Sequence, residues 1–302
     1  MTLPARRVWL RPAVWLAGAV ALGLLLSACS SSGAGSGPKL NWNYFFDTLL
    51  RPDDKIRFGI WLTVSIAITS QVIGVVLGTF AALGKMAKLM PLRVLANLYV
   101  WLFRGTPLVV QIVLFYFGRS VAKVYTWPAL SVPGATIDGA IQAGIFALGL
   151  NEGAYFAEIV RAGILSIDPG QAEAGKALGM TYGKIMRRIV LPQAARVIVP
   201  PLGNEFNNML KTTSLLVLIS VPELYTIVNR KQGQFFAPFE FYLAAAVWYL
   251  LMTTIWTVIQ AWIERKLAKG TAGASTGPSL RERLFGGGAR RPEDIPAITG
   301  GR

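Results

Sequence analysis

Five long apolar runs limit what this chain can fold into more than any other feature of its sequence. They cover residues 59–83, 98–118, 137–164, 197–219 and 239–263. Each run reaches the length of about 20 residues that a helix needs to cross a membrane. Hydrophobic residues make up 53% of the chain and charged residues 15%, a composition that is too apolar for a typical soluble domain. We therefore expect an all-α, polytopic membrane helix bundle with five core transmembrane helices.

Basic residues predict how these helices are oriented. Lys and Arg are enriched in the cytoplasmic loops of membrane proteins. If the N-terminus lies inside, residues 84–97 and 165–196 are cytoplasmic and rich in Lys and Arg, whereas the last two external loops contain only Arg119 with Lys123 and Arg230 with Lys231. The net charge of +15 does not indicate nucleic-acid binding, because the basic residues form short clusters between apolar runs.

The stretch 166–214 is the longest weakly apolar passage in the membrane-like part of the chain. Its beginning predicts a helix, with Asp168 as N-cap, Pro169 at the first helical position and Gln171 completing an Asp-x-x-Gln capping box. Small side chains follow, and Gly179 predicts a left-handed helix stop. A short cytoplasmic helix with so little side-chain bulk is suited to docking in the groove of a partner protein.

Fixed letters at fixed offsets within this stretch identify a family. Glu173-Ala174-Gly175, Gly179 and Ile189-Val190-Leu191-Pro192 match the pattern E-A-A-x3-G-x9-I-x-L-P, which resembles the cytoplasmic loop of ABC importer permeases. The segments FRGTP, AEIVRAGI and LPQAARVIVPPLGNEFNNMLKTTSL, at residues 103–107, 157–164 and 191–215, resemble the branch that takes up polar amino acids such as histidine, glutamine, glutamate or arginine. The resemblance covers residues 59–266. Gly175 replaces the family's second Ala, and Thr212 replaces its Asp.

The resemblance implies a permease subunit of an ATP-binding-cassette importer, which forms the translocation path for a polar amino acid in a bacterial plasma (inner) membrane. Its partners would be a cytoplasmic ABC ATPase dimer, a second permease subunit in a homo- or heterodimer, an external substrate-binding protein and membrane lipid. ATP and Mg would bind to the ATPase, so this chain would need no cofactor. The residues expected to couple to the ATPase are Glu173, Ala174, Gly175, Ala177, Gly179, Leu191 and Pro192.

Polar side chains inside the predicted spans form a second group of candidate residues. Each intramembrane charge costs about 2.5–3.5 kcal/mol by insertion scales, and such groups normally line a pathway or pair across helices. The structural alternative is pairing, for example of Glu158 with Arg161 or Lys211. As a set, these residues predict a path with donors and acceptors for a zwitterion. They are Arg104, Asn151, Glu158, Arg161, Asn204, Asn207, Lys211 and Ser214.

Two other classes of function remain as alternatives. An ion-coupled secondary carrier or channel would need paired carboxylates, for which Glu152 and Glu158 in the third span are the candidates. A membrane enzyme would need a nucleophile and a base, and the chain has no His and a single Cys. The sequence also lacks a G-x4-G-K-[ST] P-loop, so ATP would have to bind to another chain. A metal site of several Cys and His residues is excluded.

The N-terminal segment has two interpretations. Arg6, Arg7 and Arg11 precede an apolar stretch, and Leu26-Ser27-Ala28-Cys29 resembles a lipoprotein cleavage box. Either the chain is cleaved and lipidated at Cys29, or the segment stays as an uncleaved anchor helix, which we favour because a polytopic permease follows. The predicted organisation is an anchor and linker at 1–38, an external segment at 39–58, the permease domain at 59–266 and a basic, disordered cytoplasmic tail at 267–302.

Overall fold

The computed structural model describes residues 40–122, 127–132 and 135–268, and most of these residues are helical. The chain divides into two compact units, Met1–Asn41 and Trp42–Arg302. The predicted N-terminal anchor with Cys29 lies outside the described residues, as does the predicted tail beyond residue 268.

The elements of the second unit follow one another with short connections. They are α1 (Trp42–Leu50), α2 (Asp54–Lys85), α3 (Met90–Gly105), α4 (Leu108–Ala122), β1 (Leu130–Val132), β2 (Ala135–Ile137), α5 (Gly139–Leu165), α6 (Pro169–Ala177), α7 (Tyr182–Ile185), a π-helical turn (Met186–Val190), α8 (Leu191–Thr212), a 3-10 turn (Thr213–Ile219), α9 (Leu224–Phe235) and α10 (Pro238–Ala268). The two short strands form an antiparallel hairpin in which Ser131 lies opposite Thr136.

Membrane-spanning character varies among the described helices. By length and composition α2 and α10 could each cross a membrane, and the number of spans rises to as many as four if each of two bent helix pairs counts as one. Helix α5, which covers the expected third span, is not among the helices that meet this criterion, and it buries the polar side chains of Gln142 and Glu152. The prediction of an all-α membrane bundle is confirmed, with the small hairpin as an addition that the sequence did not indicate.

Helices α2 and α5 pack closely along a stripe of small residues. Ser70, Gly74, Gly78 and Ala82 recur every fourth residue on α2, and all four are buried. A Cβ atom on Gly74 would lie 2.6 Å from Cγ of Glu152, and one on Gly78 would lie 2.7 Å from the carbonyl oxygen of Gly153. The stripe therefore brings the two backbones close together, as small residues do between helices in lipid.

Three boundaries differ from the sequence-based expectation. Residues 221–238 were expected to be an external loop, but they contain α9, whose Leu224 and Val228 are fully buried. The expected second span at 98–118 is two helices that meet at 104°, because Pro107 lacks the amide proton that would continue α3. In the external segment, α1 packs against α10 through a hydrogen bond from Nε1 of Trp248 to the carbonyl of Thr48.

Helices α8 and α10 are joined by side-chain hydrogen bonds to backbone carbonyls. Trp256 donates through Nε1 to the carbonyl of Gly203 at 2.7 Å, and Gln260 donates through Nε2 to the carbonyl of Pro200 at 3.2 Å. Pro200 and Pro201 lie inside α8 and remove two backbone donors there. Polar side chains of α10 therefore hold α8 at the place where its own ladder is weakest.

Candidate functional site

Helix α6 is the predicted docking helix, and its ends are as the sequence indicates. Oδ1 of Asp168 accepts a hydrogen bond from the amide of Gly170 at 2.8 Å, which confirms the N-cap. The predicted capping box is wrong, because its geometry would direct this bond to the amide of Gln171. Gly179 has a φ of +72°, and the amides of Gly179 and Met180 donate to the carbonyls of Lys176 and Gly175. These two bonds form a Schellman motif.

The small residues of α6 are divided between two faces. Gly175 is buried, and a Cβ atom there would lie 3.0 Å from Cγ1 of Ile185. It therefore allows α6 to pack on the following turn, and it does not lie on the exposed face. Glu173, Ala174 and Ala177 are exposed, whereas Leu191 and Pro192 lie exposed at the beginning of α8.

Two large exposed side chains flank Gly179 at the end of α6. Leu178 is 82% exposed and Tyr182 is 72% exposed. The sequence-based prediction omitted both, although a leucine and a tyrosine flanking a helix stop in a weakly apolar stretch were a usable signal. We call Glu173, Ala174, Ala177, Leu178 and Tyr182 the docking surface.

Glu158 forms an ion-pair cluster at the end of the bundle that leads to α6. Its carboxylate pairs with Nζ of Lys85 at the end of α2 and with Nε of Arg161 one turn later on α5 at 3.1 Å. The pairing with Arg161 was expected, whereas the pairing with Lys211 was not found. The cluster joins α2 to α5, and its partner Lys85 had been assigned only to a loop.

Arg104 and Asn151 lie at the break between α3 and α4. Asn151 donates through Nδ2 to the carbonyl of Phe103 and to Oε1 of Gln111, each at 3.0 Å. The guanidinium of Arg104 lies over the ring of Tyr155, 5.1 Å from its centroid. Asn151 therefore braces the break, and Arg104 makes a cation–π contact with α5.

The predicted polar face of α8 has a bound part and an open part. Oδ1 of Asn204 accepts a hydrogen bond from Gln260 at 3.2 Å. Oδ1 of Asn207 is buried without a hydrogen-bond partner among the described residues. Lys211 is exposed, and Oγ of Ser214 donates to the carbonyl of Lys211 at 2.7 Å. The open part is the end that carries Lys211.

Lys211 and Ser214 line a cavity of about 550 Å³ together with side chains of α9 and α10. We call it the outer cavity, because the predicted topology places this end of α8 on the external side. Its remaining lining residues are Tyr225, Tyr242, Ala245, Ala246 and Tyr249. The three tyrosines were absent from the sequence-based list, since nothing local relates them to Lys211.

A buried carboxylate next to the outer cavity fixes its walls. Glu223 is fully buried and caps α9 by accepting from the amide of Thr226 at 2.7 Å. It also accepts from the hydroxyl of Thr63 on α2 at 3.3 Å and from that of Tyr249 on α10 at 2.9 Å. One side chain therefore ties three helices together. The described part of the chain contains no group of His, Cys, Asp and Glu that could hold a metal ion.

A comparison with known protein families matches most of the chain. Residues 74–269 match the family described as the inner membrane component of binding-protein-dependent transport systems. The arginine transport system permease protein ArgU of Corynebacterium glutamicum is 38% identical over 284 residues, which is 89% of this chain and 84% of that protein. The L-cystine transport system permease protein TcyB of Bacillus subtilis is 38% identical over 71% of this chain and 87% of its own length.

Solved structures show the same architecture. A crystal structure of an amino acid ABC transporter with histidines contains a chain that is 36% identical, with a TM-score of 0.64 over 73% of this chain and 98% of that one. A chain of the methionine ABC transporter MetNI, in an inward-facing conformation, is 17% identical with a TM-score of 0.56 over 70% of this chain and 96% of that one. The second likeness is one of fold alone.

Proposed function

Because this chain belongs to the family of inner membrane components of binding-protein-dependent transport systems, we propose that it is the permease subunit of an ATP-driven importer for a polar amino acid. As a member of that family it is a multi-pass membrane protein, and it works with a separate ATPase and a substrate-binding protein. ATP hydrolysis belongs to the ATPase. Family membership favours this function over an ion-coupled carrier.

The single observation that carries the coupling role is the exposed docking surface on α6. Glu173, Ala174 and Ala177 are exposed, and so is Tyr182, three residues beyond the Schellman motif at Gly179. Buried Gly175 packs α6 against Ile185. Movement of α6 would therefore be transmitted directly to the segment that enters α8.

The cytoplasmic occupant of the docking surface is the ATPase. Two exposed apolar side chains, Leu178 and Tyr182, beside small residues suit a groove that admits a short helix. Closure of the ATPase dimer around ATP and Mg would then move α6 together with α8. Such a rigid-body change would switch the path from outward to inward access. We expect a second permease subunit across the path, with either the same or a related sequence.

The substrate is an amino acid with polar or charged groups. Two relatives of this chain are named for arginine and cystine transport. A solved structure similar to it is named as an amino acid ABC transporter. We propose that the polar face of α8 and the break at Arg104 and Asn151 line the path. Glu158 would then hold the cytoplasmic end of the path through its ion pairs.

ATP hydrolysis stimulated by a loaded binding protein tests this function. The permease is purified with its ATPase, reconstituted in proteoliposomes and given ATP together with the binding protein and a panel of L-amino acids. We expect uptake of at least one polar amino acid, with hydrolysis rising only when the binding protein carries it. A non-hydrolysable ATP analogue is the matched control. Uptake that persists with the analogue and follows a proton or sodium gradient would refute the proposal.

A further inference from the structure

We propose that the outer cavity is a carboxylate-binding subsite, in which Lys211 receives the α-carboxylate of the incoming amino acid. This inference rests on the proposed function and adds a recognition step at the external end of the path. It assigns a role to Tyr225, Tyr242 and Tyr249, which surround the same cavity.

The charge of the cavity is the first argument. Lys211 is the one charged residue in its lining, and within the described ranges it takes part in no ion pair. An exposed ammonium group beside a concave, largely apolar surface attracts an anion. Since a charge-assisted hydrogen bond is stronger than a neutral one, Lys211 provides the best contact that this cavity can offer to a carboxylate.

The buried acid behind Tyr249 forms no ion pair with Lys211 among the described residues. Glu223 lies next to the cavity, but its oxygens accept hydrogen bonds from Thr63, Tyr249 and both the amide and the hydroxyl of Thr226. These donors occupy the carboxylate away from Lys211. Lys211 therefore stays available to a ligand, although an acid lies behind one wall of the cavity.

The tyrosines provide the complementary part of the subsite. Tyr242 donates its hydroxyl proton to Oδ1 of Asn229 at 2.6 Å, and Tyr249 donates its own to Glu223 at 2.9 Å. The rings of Tyr225 and Tyr242 stack with centroids 5.7 Å apart. Because these two hydroxyl protons are already used, the walls offer ring faces and oxygen lone pairs. Both attract a cation such as the α-ammonium group.

The size and the position of the outer cavity both agree with an amino acid as its ligand. A cavity of about 550 Å³ lies within the range of small-molecule sites, about 300–1,000 Å³, and an amino acid fits inside it. Lys211 lies in the last turn of α8, at the end that the charge distribution of the loops places outside. A substrate released by an external binding protein would meet this end of the path first.

Direct binding to the permease–ATPase complex in lipid nanodiscs tests the subsite. The binding protein is left out, because it would contribute its own selectivity. The probe is the radiolabelled L-amino acid that the parental transporter takes up best, compared with the amine that lacks its carboxylate, for example L-arginine and agmatine. We expect the parental complex to bind the amino acid at least about tenfold more tightly than the amine, as one charge-assisted hydrogen bond allows.

Substitutions at Lys211 give the decisive comparison. Lys211→Met keeps an unbranched side chain of nearly the same length and removes its charge, so affinity for the amino acid should fall by about tenfold while affinity for the amine stays unchanged. Lys211→Arg should restore most of the preference. Lys231→Met is the matched control, because Lys231 is another external lysine but pairs with Asp53 at 2.7 Å and does not line the cavity. It should leave the ratio of the two affinities at the parental value.

Three results would overturn the subsite. They are undetectable binding to the parental complex, a ratio of affinities that Lys211→Met leaves unchanged, and an equal loss for amino acid and amine. A response to phosphatidylglycerol content that disappears in Lys211→Met, with an unchanged ratio, would assign the cavity to a lipid phosphate instead. If stimulated ATP hydrolysis stays intact in these cases, the results refute the proposed subsite and leave the proposed transport function standing. Loss of stimulated hydrolysis in the parental complex would refute the transport function itself.

Discussion

Substitution of Gly179 tests how the docking surface is held in place. Gly179 has a φ of +72°, and no heavy atom lies within 4 Å of the position where its Cβ would stand. Within this chain, a side chain at 179 therefore meets open space, and the cost of a substitution comes from the backbone alone. Because the Schellman motif directs the chain from α6 toward Tyr182, loss of the left-handed turn would displace Tyr182 relative to α6.

The size of the expected loss of coupling follows from the left-handed backbone conformation of Gly179. A left-handed backbone costs an L-residue about 1–2 kcal/mol, which lowers the population of the docked geometry by about 5- to 30-fold. Asn tolerates this region far better than Ala, whereas a β-branched residue is an outlier there. We therefore expect coupling to decrease in the order Gly, Asn, Ala and Val at position 179, with Asn close to the parental protein.

The assay is co-purification with the ATPase, together with ATP hydrolysis stimulated by substrate-loaded binding protein. Insertion of the spans should be unaffected in every variant, because α2 and α5 are held by their own stripe of small residues. Full coupling in Gly179→Val would show that the left-handed turn has no role in docking. An equal defect in Gly179→Asn and Gly179→Val would show that contact with the partner, and not backbone strain, limits this position.

Three further variants test other contacts. Glu158→Gln should lower transport because it leaves Lys85 facing no carboxylate, and recovery in a double variant with Lys85→Met would assign Glu158 to pairing and not to the path. Gly203→Ala should destabilise the bundle by about 1–3 kcal/mol through overpacking, since its Cβ would lie 2.4 Å from Cδ of Gln260; an unchanged thermal unfolding temperature of the purified complex would contradict this. Glu173→Ala should weaken co-purification by less than the roughly 1–2 kcal/mol of backbone strain expected at Gly179, because Glu173 lies beyond the first turn of α6, and complete dissociation would instead indicate an ion pair with the ATPase.

Local signals in the sequence determined the elements around the site. Asp168 and Gly179 mark the two ends of α6 because capping and left-handed turns depend on the residue type at one position. The four-residue repeat of Ser70, Gly74, Gly78 and Ala82 predicted a close helix contact, because residues at that spacing share one face of a helix. The same local information fails for α9, since it predicts an external loop where tertiary packing buries Leu224 and Val228 fully.

Tertiary structure alone decided which residues meet. Lys85 and Glu158 are 73 positions apart, and Thr63 and Glu223 are 160 positions apart, so no periodicity or spacing relates them. Lys211 was predicted from its place in a span, but its tyrosine neighbours come from two other helices whose rotation and depth are fixed by packing. The sequence by itself determined that the chain is a helical membrane protein and predicted, from loop charges, how its spans are oriented, because hydrophobicity, charge and capping act within a few turns of one segment. The outer cavity and the partners of each charge exist only after the helices pack, because helix contacts depend on shape and backbone approach between distant segments.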